Sequence, residues 1–198
     1  MNMEKIIYKI SESNELNRKG KICIVGVGGA GNNSINRIYS LGNGKFFTVA
    51  INTDFSHLES IRADVKILLK AGRGMGTGGD VSLGERAVFS AREEILKILR
   101  GFDLIFIISG FGGGTGTGAT PEITRMAIST GAVVINVVTL PFRSEGSRYK
   151  KALDGIKVLT NVSKTIIVLD NNKLLISPKS LPAEKAFFVM DQLVYLIV

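Results

Sequence analysis

Short apolar runs alternate along the chain with segments whose apolar residues recur at helical spacing. The runs predict strands at residues 22–25, 48–51, 65–69, 104–108, 132–138 and 165–169. The spacing predicts helices at residues 32–41, 81–99, 121–129, 148–159 and 182–198. Alternating strands and helices indicate βαβ units, so we expect an α/β fold: a Rossmann-like, mostly parallel sheet with helices on both faces. Residues 1–20 are predicted to be an N-terminal arm and residues 21–198 one domain.

Composition excludes several classes of protein. Of the 198 residues, 45% are apolar and 21% are charged, which is ordinary for a globular domain and excludes a disordered chain. The longest aliphatic-aromatic run, residues 104–108, is too short to cross a bilayer, so we expect no direct membrane insertion. With no secretory signal pattern at the N-terminus, we expect a cytoplasmic protein. A single cysteine, Cys23, excludes an internal disulfide, and a single histidine, His57, excludes a His-based zinc site. We interpret both as structural.

The charge is strongly positive, with 25 Lys and Arg against 17 Asp and Glu, a net charge of +8. Much of the excess lies between residues 141 and 185. A basic surface either keeps the protein soluble or attracts a polyanion. The chain has no tryptophan and no recognised nucleic-acid motif, so we favour the first interpretation, with attraction of nucleotide phosphates as a secondary effect. We expect no nucleic-acid partner.

The 23 glycines fall in clusters at the ends of predicted strands. Residues 26–31, GVGGAG, match G-x-G-x-x-G between a predicted strand and a predicted helix. Glycine lets a phosphate approach the backbone N–H groups, and the helix N-terminus adds a positive dipole end. Tight strand-to-helix turns also need glycine. Alone, this motif indicates a dinucleotide-binding fold.

The second cluster, residues 110–118 (GFGGGTGTG), is more specific. It has six glycines in nine residues and lies between a buried strand and a helix that Pro121 is predicted to open. We interpret it as backbone N–H groups around an anion, with Thr115 and Thr117 as hydroxyl donors, rather than as a flexible linker. We also expect a positive φ at Gly114. The third cluster, residues 72–79, is either a mobile connecting loop or a γ-phosphate sensor.

Together these segments resemble the tubulin/FtsZ family. Residues 112–118 (GGGTGTG) are similar to its signature loop. Further segments resemble its other nucleotide loops in the same order: residues 25–33, 50–54, 73–79, 138–146 and 171–175, followed by Ala186, Phe187 and Asp191 at the start of its central helix. The resemblance runs from about residue 21 to the end of the sequence. It fits the FtsZ branch of the family, and we expect an archaeal-type member.

The resemblance implies a site for GTP or GDP, with Mg²⁺ as a possible companion of GTP and no protein metal site. The α- and β-phosphates would meet Gly28, Gly29 and Asn32. The β-phosphate would be wrapped by the second cluster, namely Gly110, Gly112, Gly113, Gly114, Thr115 and Gly116. Gly78 and Gly79 would lie by the γ-phosphate, and Thr139 and Glu145 by the ribose. Asn171 and Asp191 would read the guanine edge, on which Phe187 would stack.

The sequence departs from the family pattern in two respects. The family usually has a basic residue four positions after the ribose glutamate, where this chain has Tyr149, preceded by Arg148. Family members also continue beyond the central helix into an acidic loop, which completes the next subunit's site, and into an activation domain. We expect this chain to lack both the acidic loop and the activation domain. It would therefore contain no catalytic residue, and alone it would bind GTP with little or no turnover. We expect its partners to be FtsZ-like subunits in a head-to-tail filament that acts in cell division. Asp80 and Glu85 are the local acids, and we interpret them as residues of a helix's first turn.

Two other functions stay open. The first glycine motif, with Asp54 as the ribose acid, also fits an NAD(P)-binding Rossmann domain, although the second cluster argues against it. A non-catalytic GTP-binding filament regulator is the third candidate. Titrations with GTP and NADH separate the first two functions, and a GTPase assay separates the first from the third.

Overall fold

The fold is known from a computed structural model, which describes residues 21–41, 46–71 and 73–176. The predicted N-terminal arm and the predicted helix at 182–198, with Phe187 and Asp191, lie outside the described residues. Within the described ranges no helix is long and apolar enough to cross a membrane.

Six parallel strands form one sheet in the order β3-β2-β1-β4-β5-β6. The strands are β1 (Ile22–Val27), β2 (Phe47–Asn52), β3 (Val65–Leu68), β4 (Leu104–Gly110), β5 (Val133–Leu140) and β6 (Ile166–Asp170). All six predicted strands are confirmed to within two residues at each end. The helices are α1 (Gly28–Leu41), α2 (Phe55–Ser60), α3 (Val81–Val88), α4 (Arg92–Leu99), α5 (Gly114–Ser129) and α6 (Ser147–Thr160).

Helices cover both faces of the sheet, because the side chains of its buried strands alternate between two apolar clusters. In β1, Cys23 and Val25 join the cluster that α3, α4 and α5 cover. Ile24, between them, joins the cluster covered by α1 and α2. Helix α6 packs on a smaller cluster with Phe111 and Val138. The predicted fold class is therefore confirmed.

The strand order places the glycine clusters side by side. The connection after β1 leads to β2 on one side of it, whereas the connection after β4 leads to β5 on the other side. This reversal is the switch point at which doubly wound sheets bind ligands, outside the carboxyl ends of their strands. Val27 pairs with Ser109 in the register of β1 and β4, so residues 26–31 and 110–118 lie at the same edge of the sheet.

Two helices begin earlier than predicted, within the glycine clusters. Helix α1 begins at Gly28 rather than at residue 32. Helix α5 begins at Gly114, so Pro121 lies inside it and not in its first turn, which corrects that prediction. Close contacts between elements outweigh the poor helix propensity of glycine, because side chains at these positions would hold the elements apart.

The helix predicted at residues 81–99 is interrupted. A short 3-10 turn, Phe89–Ala91, separates α3 from α4. The Ser90 hydroxyl donates to the Ala87 carbonyl and accepts from the Lys70 N–H. A serine hydroxyl that bonds to a helix carbonyl competes with the backbone hydrogen bonds of the helix and often bends it. Helix α2 was not predicted. Its signal was Asp54, whose side chain caps the helix by accepting from the His57 N–H.

Candidate functional site

The first and second glycine clusters touch through Gly28. Its φ is +72°, and a Cβ there would lie 2.9 Å from the Gly116 nitrogen. Only glycine fits both demands, the left-handed backbone and the close approach. Gly29, the next residue, is exposed, and a Cβ there would have no atom within 4 Å. A ligand can therefore reach the start of α1 at Gly29.

Most glycines of the second cluster make room for protein atoms. Side chains at Gly114 and Gly118 would overlap the carbonyl oxygens of Asp80 and Val81, beside and within α3. A side chain at Gly116 would overlap the Gly110 carbonyl oxygen, and a side chain at Gly110 would overlap the Ala30 side chain. The expectation of a positive φ at Gly114 was wrong, because Gly114 is the first residue of a regular helix; the left-handed residue is Gly112, with φ +102°.

Gly113 is the open position of the second cluster. It precedes α5 with extended backbone (φ −86°, ψ 176°), and a Cβ there would meet no atom within 4 Å. The first N–H groups of a helix lack partners within the helix and attract anions. The sixteen-residue helix α5 therefore offers an anion site next to Gly113.

The two threonines of the cluster are already engaged. The Thr117 hydroxyl accepts from the Gly112 N–H at 2.8 Å. The Thr115 hydroxyl bonds to the hydroxyl of Thr53 at 2.6 Å. Thr53 belongs to residues 50–54, which we call the second loop and which are distinct from the second glycine cluster. Sequence analysis gave no role to Thr53 itself.

The described residues 73–79 of the third cluster, which we call the third loop, have a defined path. The Gly74 carbonyl accepts from the Phe55 N–H at 2.8 Å, and the Gly76 N–H donates to the Thr53 carbonyl at 3.1 Å. On the other side, Lys151 Nζ donates to the Gly79 carbonyl at 2.9 Å. These bonds favour an ordered loop over a mobile connection. Gly78 and Gly79 have positive φ, and Gly78 is exposed.

Asp80 and Asp54 both cap helices. Asp80 accepts from the Leu83 N–H at 3.0 Å and is the N-cap of α3, just before its first residue. The first turn of α3 holds no acid and Glu85 lies further along the helix, so the interpretation of these two acids as first-turn residues was wrong. Asp54 accepts from the His57 N–H at 3.0 Å in the same way. One carboxylate oxygen of Asp54 is therefore used to cap a helix.

The loops predicted to hold the ribose and the base lie together. Thr139 is near the end of β5, and its hydroxyl would be 3.3 Å from a Cβ at Gly110. Asn172, which follows Asn171, accepts from the Arg143 N–H at 2.9 Å and so ties the loop after β6 to the loop after β5.

Glu145 and Arg148 form an ion pair of 2.7 Å between Oε2 and Nη1. The other carboxylate oxygen of Glu145 accepts from the Phe142 N–H at 2.9 Å. The arginine that precedes Tyr149 therefore pairs with the glutamate predicted to bind ribose. This places a basic group beside Glu145 although Tyr149 occupies the family's usual position.

Two predicted ligand contacts have buried polar atoms without a protein partner in the described part of the chain. Both polar atoms of the Asn32 side chain lack a hydrogen bond, as does Oδ1 of Asn171. Buried polar groups nearly always have a partner, so such atoms are expected where a ligand supplies the bond. Asn32 is fully buried and follows the exposed Gly29 by three residues in α1.

The described ranges contain no group of three or more His, Cys, Asp or Glu side chains that could hold a metal ion. The pKa shifts lie away from the predicted ligand contacts. Burial lowers the pKa of Lys66 and raises the pKa of Glu94, and a hydrogen bond from Lys157 lowers the pKa of Asp154. The described site thus consists of backbone N–H groups, hydroxyls, amides and one paired carboxylate.

A cavity of about 280 Å³ lies elsewhere, between α3, α5 and α6. It is lined by Val81, Glu85, Pro121, Val158 and neighbouring residues. Thr117 and Gly118 of the second cluster also line it, but the open glycines Gly29 and Gly113 do not, so the cavity is a different space from the open site at the switch point.

Residues 21–177 match the Tubulin/FtsZ family, GTPase domain. The chain therefore belongs to this family. Fold and site agree, because both glycine clusters meet at the switch point of the sheet.

Archaeal FtsZ proteins are among its relatives. The chain is 50% identical over 176 residues to cell division protein FtsZ 2 of Haloferax volcanii, and 46% identical over 178 residues to FtsZ 2 of Methanocaldococcus jannaschii. These alignments cover 88% and 89% of this chain but 44% and 47% of the relatives, so the chain spans about half their length. An empty FtsZ dimer of M. jannaschii superposes with a TM-score of 0.85 at 42% identity, covering 91% of this chain and 53% of that one.

Proposed function

We propose that the chain binds GTP and GDP as the nucleotide-binding domain of an FtsZ-like cell-division GTPase. One observation carries the proposal: the start of α1 and the start of α5 meet at the switch point through Gly28 and Gly116. Each offers an open glycine, Gly29 and Gly113, beside unpaired helix N–H groups.

The phosphates bind to the backbone in this proposal. The N-termini of α1 and α5 supply N–H donors and the positive ends of two helix dipoles. Because the described ranges hold no cluster of metal ligands, an Mg²⁺ ion would be held mainly by the phosphates and water. Gly78 and Gly79 of the third loop would contact the γ-phosphate, which distinguishes GTP from GDP.

Guanine and ribose are assigned by the family's pattern together with the geometry. Thr139, near the end of β5, and Glu145, in the segment that follows β5, would accept hydrogen bonds from the ribose hydroxyls. Asn171 would bond the base through its unpartnered Oδ1. Asp191 would accept from the guanine N1–H and 2-amino groups, which adenine does not offer together, and Phe187 would stack on the base.

Hydrolysis is assigned to an assembly of subunits. Relatives of this chain are named cell division proteins, and one solved relative is described as a dimer. We propose that this domain contributes its nucleotide site to a head-to-tail contact with an FtsZ-like subunit in the cytoplasm. The attacking water must be held in line with the γ-phosphate, and a group of the neighbouring subunit would hold it.

Titration with a fluorescent GTP analogue and, separately, with NADH tests the binding. We expect saturable GTP binding that GDP displaces, and no binding of NADH. Binding of NADH without GTP would support a dinucleotide-binding domain instead. Phosphate release per bound GTP, measured alone and with an assembling FtsZ, then tests hydrolysis. Turnover that stays at zero in both cases would favour the non-catalytic regulator.

A further inference from the structure

His57, the only histidine of the chain, joins two segments of the candidate site. It lies in α2, and both ring nitrogens contact asparagine side chains. Nδ1 is 3.2 Å from Nδ2 of Asn52, at the end of β2. Nε2 is 3.0 Å from Oδ1 of Asn33, in the first turns of α1. Sequence analysis treated this histidine as structural.

The orientation of the Asn52 amide follows from its other hydrogen bonds. Its Oδ1 accepts from the Thr53 N–H at 2.9 Å and from the Asp54 N–H at 3.3 Å. The oxygen therefore faces the second loop, and the NH₂ group faces His57. An amide nitrogen only donates, so Nδ1 of His57 must accept and cannot carry a proton.

One form of the imidazole satisfies both contacts. In the neutral ring with its proton on Nε2, Nδ1 accepts from Asn52 and Nε2–H donates to Oδ1 of Asn33. A protonated ring donates from both nitrogens, so Nδ1–H would face the Asn52 NH₂ group. Protonation therefore breaks the contact with Asn52 and disturbs the amide that holds the second loop.

We propose that neutral His57 is a positioning residue for nucleotide binding, and that protonation of its ring weakens binding by releasing the second loop. The inference rests on the proposed function. The second loop reaches the site because Thr53 bonds to Thr115 in the second cluster. The other end of the link, Asn33, directly follows the buried and unpartnered Asn32.

Charged groups on the surrounding elements bear on this equilibrium. On its own helix and cap, His57 has Glu59 and Asp54, whose carboxylate already accepts from the His57 N–H. Helix α1 carries Arg37 and β3 carries Lys66, whose ammonium donates to the Glu59 carbonyl. Strand β2, which ends at Asn52, has no ionisable residue. Among the contacts of the ring itself, the one with the Asn52 NH₂ group is compatible only with an unprotonated Nδ1.

The tautomer can be read directly in the unmodified chain. A long-range ¹H–¹⁵N spectrum of the imidazole contains signals of one histidine only. At about pH 8 we expect the Nε2–H tautomer, and on acidification the Thr53 and Asp54 amide signals should shift together with the ring. A ring with its proton on Nδ1, or amides that stay unchanged while the ring titrates, would overturn the proposal.

Nucleotide affinity provides the functional test. GDP affinity is measured at about pH 8 and about pH 5.5 for the unmodified chain, His57→Gln and the matched control Ser56→Ala on the same helix. Glutamine offers one donor and one acceptor but does not titrate. We expect the unmodified chain and the control to lose about three- to tenfold more affinity than His57→Gln, the equivalent of one lost hydrogen bond.

Protonation of the GDP phosphates affects every variant equally and cancels in this comparison. An equal loss in all three proteins would overturn the proposal. Failure of the unmodified chain to bind GDP at about pH 8 would overturn the proposed function and this inference with it. The tautomer spectrum is recorded without nucleotide, so it shows whether the His57 contacts are correct even if GDP does not bind.

Discussion

Thr53 and Thr115 share a hydrogen bond of 2.6 Å between their hydroxyls, inside the protein and across 62 residues of sequence. Thr53 belongs to the second loop, and Thr115 belongs to the first turn of α5. The Thr53 carbonyl also accepts from the Gly76 N–H of the third loop. One residue therefore connects three segments predicted to surround a nucleotide.

Replacing Thr53 tests this connection. Thr53→Val keeps the shape of the side chain but leaves the buried Thr115 hydroxyl without its partner. We expect the free energy of unfolding to fall by about 1–3 kcal/mol, measured by urea denaturation. Thr53→Ser keeps the hydroxyl and should recover most of the loss. Equal stability of the valine and serine variants would show that the bond contributes nothing.

Gly113 and Gly114 are neighbours with opposite expected roles. An alanine at Gly113 meets no protein atom within 4 Å and fits its backbone angles, so the variant should fold normally. Its methyl group would occupy the space proposed for phosphate, so GDP affinity should fall at least tenfold. Calorimetric titration measures this loss, and undiminished affinity would place the phosphate elsewhere.

Gly114→Ala should instead damage the fold. Its methyl group would overlap the Asp80 carbonyl, which requires α5 and the start of α3 to move apart. Overpacking of this kind costs about 1–3 kcal/mol. Thermal unfolding without nucleotide measures it. A variant as stable as the unmodified chain would contradict the close packing of these two helices.

Lys151, in α6, holds the third loop in place by donating a hydrogen bond to the Gly79 carbonyl. Lys151→Met keeps most of the side chain and removes the donor, while Lys150→Met removes an exposed charge from the adjacent position. We expect Lys151→Met to lower GTP affinity relative to GDP about two- to tenfold, because this loop is proposed to contact the γ-phosphate. If both variants change the ratio equally, the effect is one of charge alone.

Asn171 is expected to contribute to base selectivity. Among the described residues its buried Oδ1 has no hydrogen-bond partner, so we expect it to accept one bond from a ligand. Asn171→Ala should lower GTP affinity several-fold and ATP affinity little, because adenine has no 2-amino group to donate to Oδ1. Competition between the two nucleotides for a fluorescent analogue measures the ratio. A parallel loss for both would make the role structural.

Strands and site segments could be predicted because each leaves a local signal. A buried parallel strand is a short apolar run, and a phosphate-binding junction concentrates glycine where the strand ends. All six strands and the order of the glycine clusters follow from these signals. The side of the sheet on which each connection returns has no such signal, so the switch point was visible only in the structure.

The functions of individual glycines could not be predicted. Gly113 and Gly114 look alike in the sequence, yet Gly113 has open space beside it and Gly114 has the Asp80 carbonyl. This difference depends on Asp80, a residue far earlier in the chain, at the start of α3. The same is true of His57, whose partners come from α1 and β2. Tertiary contacts of this kind are not encoded in local spacing.

Amide ¹H–¹⁵N spectra of the chain during titration with GDP test the central claim most directly. If the nucleotide binds at the switch point, the largest shifts will fall on Gly29, Gly113 and Thr115, with further shifts on the loops that carry Glu145 and Asn171. Val158, in the separate cavity, and the far end of the sheet at Leu104 should stay unchanged. Saturable shifts centred on Val158, with Gly29 and Gly113 unaffected, would contradict the account.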